Sequence, residues 1–92
     1  MIKDFKHKGL EKFFTTGSTR RIQAKHGSKL RMQLAMLDAS IEVDDMSKPG
    51  WNLHQLKGQK AGVWSIKVSG KWRLTFTFED GDAYIVNYED YH

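Results

Sequence analysis

At Pro49-Gly50 the hydrophobic period of this 92-residue chain changes from about 3.6 residues to about 2, and few folds accommodate that switch. Before it, Leu10, Phe13 and Phe14 stand at i, i+3 and i+4, which predicts a helix over 7–16 stopped by Gly17. Leu30, Leu34, Leu37 and Ile41 follow Ser28, a suitable N-cap, and predict a second helix. The polar loop Thr15–Arg21 joins the two, and residues 2–5 are expected to pair as a short first strand. Beyond the switch, Trp64, Ile66 and Val68 alternate with Ser65, Lys67 and Ser69 over 63–69. Gly70-Lys71 is the expected turn. Trp72, Leu74, Phe76 and Phe78 then alternate with Arg73, Thr75 and Thr77 over 72–78. A turn at 79–82 leads into a last strand over 83–88, and Leu53–Leu56 reads as either a further strand or its edge. Helices first and a strand meander after is an α+β layout. Two N-terminal helices should pack on one face of an antiparallel sheet of about four to five strands, leaving Arg73 among threonines on the other. No repeat or linker divides the chain, so residues 1–92 are expected to form one domain.

Composition removes several classes. Without cysteine there is no disulfide framework and no thiolate zinc site, which suits a reducing cytoplasm. No stretch approaches the ~20 apolar residues of a membrane span, and the opening Met1–Lys6 has no apolar run of the kind that signal peptides carry. Charge is segregated. Residues 1–35 sum to +7, 36–47 to −4, 48–77 to +6 and 78–92 to −5. Long positive tracts suit a phosphate backbone, because each cation placed near a phosphate releases a condensed counterion. Arg20, Arg21, Lys60 and Lys71 are the expected RNA contacts on such a surface.

Arg73 is the most informative single residue, since a guanidinium in mid-strand needs a partner or a purpose. Of the histidines, His7 and His26 fall in the basic helical half and read as surface residues. His54 precedes Lys57 by three, and His92 follows Asp90-Tyr91 with a terminal carboxylate that should favour its imidazolium. His54, Lys57, Arg73, Asp90, Tyr91 and His92 together are the groups that metal-free RNA cleavage requires. A base takes the ribose 2′-proton, a cation stabilises the phosphorane, and an acid protonates the leaving 5′-oxygen. Two histidines and an aspartate lack metal-ligand helical spacing, and no nucleophile elbow or Gly-rich phosphate loop is present, so no metal or cofactor is expected.

The segments Leu53–Gly58, Gly62–Ile66, Trp72–Phe76 and Asn87–His92, with the opening Met1–Leu10, resemble HigB-type toxins of the RelE superfamily of bacterial ribonucleases. The resemblance spans essentially the whole chain. It implies a RelE-like fold, cleavage of mRNA at the ribosomal 30S A site, and a HigA-like helix-turn-helix antitoxin as partner. By position, Arg73 would contact the scissile phosphate, and His54, Asp90 and His92 would share acid–base and positioning work. Lys57 would add charge and Tyr91 would orient or stack on a nucleotide. Which group is the base stays open. Many superfamily members use several Arg and Lys with a tyrosine, whereas here one strand arginine and two histidines dominate. The alternative is a non-catalytic relative that inhibits DNA gyrase, or a nucleic-acid-binding module.

Overall fold

A computed structural model describes residues 1–91, with Gln59 by its backbone alone. Helix α1 spans Lys8–Thr16 and starts where expected, but its cap is a histidine. His7 Nδ1 accepts the Leu10 N–H at 2.9 Å, satisfying one of the donors a helix start leaves open. Gly17 ends the helix at φ 82°, the left-handed geometry that glycine adopts without strain. Leu10 and Phe13 are buried; Phe14 stays largely outside, its ring tilted on Phe5 at 5.6 Å.

Helix α2 spans Gly27–Ala39 and begins one residue before the expected cap, so Ser28 lies inside it and His26 occupies the cap position. Leu30, Leu34 and Leu37 are fully buried, each worth about 2 kcal/mol of transfer free energy. Ile41 does not continue their stripe and is 78% exposed. The helix stops because Ser40 turns extended and its Oγ donates to Met36 O at 2.7 Å. The Asp45 carboxylate then accepts the N–H groups of Ile41 and Glu42 at 2.9 and 3.2 Å. These two bonds hold the Asp45 pKa below its ordinary value. They also wind Val43–Met46 into a 3-10 turn that buries Met46 completely where Ile41 was expected.

The sheet is antiparallel with order β1-β2-β3-β4: β1 (His54–Gln55), β2 (Trp64–Ser69), β3 (Trp72–Glu79) and β4 (Asp82–Asp90). Of the two readings of Leu53–Leu56, the short edge strand is the one found. Asn52, at φ 51°, bends the chain into β1, and Gly58, at φ 72°, turns it away. Residues 2–5 do not make a full strand. They run parallel along the outer edge of β4 through isolated bridges, Ile2 to Ala83 and Phe5 to Val86. The interruption has a cause in β4. Ile85 sits at φ 55°, its N–H captured by the Asp4 carboxylate, and the β3–β4 register shifts between Thr75 and Thr77. One face of the sheet contributes Ile66, Leu74, Phe76, Val86 and Tyr88 to a common core with both helices. Among the described residues, no helix is long and apolar enough to cross a membrane.

Candidate active site

The face of the sheet away from the helices carries two rows of side chains. His54, Ser65, Thr75 and Asn87 are direct cross-strand neighbours on the four strands, and Lys67, Arg73 and Glu89 form the next row. By strand spacing alone, His54 and Arg73 lie roughly 12 Å apart at Cα, two strands across and two residues along. A long arginine side chain and one nucleotide span that gap.

His54 is oriented by backbone. Its Nδ1 lies 2.8 Å from Asn52 O. A carbonyl oxygen only accepts, so Nδ1 carries the hydrogen and the neutral ring presents Nε2 as its lone pair. Arg73 is anchored by Nη1, which donates to Gly70 O at 2.8 Å and Trp72 O at 3.2 Å. Among the described residues Arg73 makes no ion pair, so its charge is not spent on a neighbouring carboxylate.

Above this face runs the 3-10 turn Gly58–Lys60. Lys60 Nζ reaches Glu89 Oε1 at 3.4 Å and stands 5.4 Å from the centre of the Tyr91 ring. The Arg73 guanidinium carbon is 6.0 Å from that ring, so one aromatic surface meets two cations. The Tyr91 N–H donates to Lys71 O at 2.7 Å, extending the ladder beyond β4. Its hydroxyl is buried with no hydrogen-bond partner among the described residues. Lys6, Lys60, Thr75, Asn87 and Glu89 help line a hollow of about 120 Å³ on the same face.

Of the six catalytic candidates, the structure thus places His54, Arg73 and Tyr91 on one side of the sheet. Lys57 is exposed and immediately precedes the turn that carries Lys60. Asp90, exposed at the end of β4, pairs with Trp72 in the backbone ladder and lines a shallow hollow together with Lys60, Glu89 and Tyr91. His92 lies outside the described residues. Among the RNA-contact candidates, Lys60 and Lys71 flank the Tyr91 segment. Arg20 and Arg21 instead line a separate basic hollow of about 340 Å³ with Gly9, Lys12 and Ser18. Among the described residues no three His, Asp or Glu side chains gather to hold a metal ion.

The sequence reading missed Glu89, Thr75 and Asn87. The two-residue alternation around Arg73 already pointed at Thr75; Glu89 and Asn87 required the β3–β4 register. It also misplaced His26, which is not a surface residue but 3% exposed, with Nδ1 2.6 Å from the Tyr88 hydroxyl. His7 is half-buried, with its ring centre 5.7 Å from that of Tyr88. Burial lowers both histidine pKa values, with help from Arg21 at His7 and Lys25 at His26.

Comparison with known proteins agrees with this architecture. A family model for RelE-like toxins of the type II toxin–antitoxin system HigB matches residues 3–92. Endoribonuclease HigB of Proteus vulgaris is 46% identical over 92 residues, covering all of both chains. Toxin HigB-1 of Vibrio cholerae is 34% identical over 85 residues, 90% of each chain. The helix-covered antiparallel sheet with its cationic outer face is therefore that of a HigB toxin, and the chain belongs to this RelE-like family.

Proposed function

We propose that this toxin is an endoribonuclease that cleaves translated mRNA in the ribosomal A site, by metal-independent attack of a ribose 2′-OH on the adjacent phosphate. The observation that carries the reading is that one face of the sheet holds an imidazole oriented through Nδ1 and a guanidinium that makes no ion pair among the described residues. In this reading Nε2 of His54 exchanges the proton of the 2′-OH or of the leaving 5′-oxygen. Arg73 stabilises the charge that develops on the phosphorane, where a preorganised cation acts most strongly. Tyr91 offers a ring for a base to stack on, and Lys57, Lys60 and Lys71 draw in the phosphate backbone. Asp90 and His92 complete the acid–base set beside Tyr91. Arg20 and Arg21 contact ribosomal RNA from the second basic hollow.

Membership in a type II toxin–antitoxin family implies an antitoxin. Its form, a HigA-like helix-turn-helix protein, belongs to the proposal, as does a cytoplasmic site of action. The test compares wild type, Arg73→Ala and a chain lacking His92, all without a C-terminal tag, on programmed ribosomes and on naked RNA. Cleavage confined to ribosomes and lost in both variants is the expected result. Full activity in both variants sinks the nuclease site, and equal cleavage of naked RNA sinks ribosome dependence. Growth arrest without RNA cleavage, accompanied by gyrase inhibition, would favour the non-catalytic alternative.

A further inference from the structure

The helix side of the sheet holds a cluster of rings that the proposed reaction does not use. His26 Nδ1 is 2.6 Å from the Tyr88 hydroxyl, and that hydroxyl also accepts the Gln23 N–H at 3.3 Å. Tyr88 stacks on Trp72 with ring centres 4.5 Å apart and 24° between planes. The His26 ring meets Trp72 edge-on at 5.7 Å and Tyr88 edge-on at 6.0 Å, and His7 approaches Tyr88 edge-on at 5.7 Å. His26 and Tyr88 are both nearly inaccessible, 3% and 4% exposed.

The hydrogen directions follow from the partners. The Tyr88 oxygen accepts from Gln23, which leaves its own hydrogen free to point at His26. We take the arrangement with Nδ1 of His26 as the acceptor and the hydrogen of the neutral ring on Nε2. Burial and the neighbouring Lys25 both oppose protonation there. Arg21, in the connection after α1, acts on His7 at the start of that helix, and among the described residues the Asp90 carboxylate on β4 acts on Tyr88. Two apolar side chains would fill this volume with less loss of solvation. What a buried phenol–imidazole pair adds is direction, since it is satisfied in one geometry only.

That direction is delivered to the site. Trp72 immediately precedes Arg73 and pairs with Asp90, while Tyr88 pairs with Leu74 and lies three residues before Tyr91. The rings therefore hold, from behind, the start of β3 that presents Arg73 and the end of β4 that presents Tyr91. We propose that His26, acting through the Tyr88 hydroxyl, is a positioning residue that sets where Arg73 and Tyr91 stand on the opposite face. The effect on cleavage rests on the nuclease reading above; the effect on position does not.

The experiment uses the purified full chain and the variants Tyr88→Phe, His26→Leu and His26→Asn, with Arg73→Ala alongside. Asparagine places its Oδ1 where Nδ1 was and restores the acceptor; leucine fills volume without one. Three quantities are read: thermal midpoint, backbone amide shifts of Arg73 and Tyr91, and kcat and KM on programmed ribosomes. In Tyr88→Phe and His26→Leu the two amides should move and kcat should fall about 10- to 100-fold at little-changed KM, as for a catalytic group displaced by about 1 Å. His26→Asn should recover most of both. Folded Tyr88→Phe with wild-type kcat and unmoved amides overturns the proposal, as does a His26→Asn defect equal to that of His26→Leu. If a variant fails to fold, the nitrogen shifts of wild-type His26 decide instead: an unprotonated Nδ1 supports the proposal and a protonated one overturns it. Should Arg73→Ala itself cleave normally, the nuclease site is wrong, and the amide shifts still judge the positioning.

Discussion

Lys60 Nζ lies 3.4 Å from Glu89 Oε1, and the pair ties the loop between β1 and β2 to the last strand across the face of the sheet opposite the helices. The carboxylate occupies a cation that RNA would otherwise engage.

Glu89→Gln should therefore strengthen RNA binding by roughly two- to fivefold, since the pair it removes is worth at most about 1 kcal/mol. The thermal midpoint should barely change for the same reason, both side chains being substantially solvated. Anisotropy of a labelled RNA at low and high salt measures the first effect. Weaker binding in the variant would mean that Glu89 helps to place Lys60 rather than competing for it.

His54→Asn separates orientation from chemistry. Asparagine retains a donor for Asn52 O but has no ring nitrogen to give or take a proton. Loss of a general acid or base costs about 100- to 10,000-fold in rate, and the fold should be intact because His54 sits on a two-residue edge strand. Single-turnover cleavage on programmed ribosomes reads the loss. Activity within a few-fold of wild type would remove His54 from the reaction.

Met46 and Ile41 offer a contrast in stability. Met46→Ala should cost about 2–5 kcal/mol, as truncation of a fully buried side chain does, while Ile41→Ser should fall within about 0.5 kcal/mol of wild type. Urea unfolding at constant m measures both. Comparable losses would place Ile41 back on the buried stripe of α2.

Stability should also fall as the pH drops from about 7 toward 5. His7 and His26 have folded pKa values below the unfolded ~6.5, so in that window the unfolded chain binds more protons. Their contribution is complete above about 6.5 and is lost as the pH falls through the folded values. Asp45 acts in the same direction but lower, below its unfolded value of about 3.9, so the two effects separate. Urea midpoints at pH 7.5 and 5.5 test the upper step, which His26→Asn should reduce. A flat profile over that range would mean that neither imidazole is held neutral.

Local pattern made α1, β2 and β3 readable, because Leu10 and Phe13, or Ile66 and Val68, repeat within a few residues of one another. It failed at Ile41, where the helical spacing was intact but two hydrogen bonds to Asp45 bent the chain away. Of the candidate site, Arg73 and His54 are conspicuous by residue type, and Asp90 and Tyr91 by adjacency, both lining one hollow with Lys60 and Glu89. The part played by Glu89 and Asn87 needed the strand register. His26 gave no local signal at all. Its partner Tyr88 is 62 residues away, and only the tertiary fold brings the two rings together.

The bridges from Ile2 to Ala83 and from Phe5 to Val86 give the molecule a seam. During synthesis the segment 2–5 must stay unpaired until residues some eighty positions later have been made. Until then the outer edge of β4 does not exist, and Asp4 has no Ile85 amide to capture. Joining contacts so distant in sequence carries the largest loop-closure cost of any pairing in this sheet. The seam therefore belongs to the last stage of folding, and a toxin closed in this way cannot assemble its complete edge on a half-made chain.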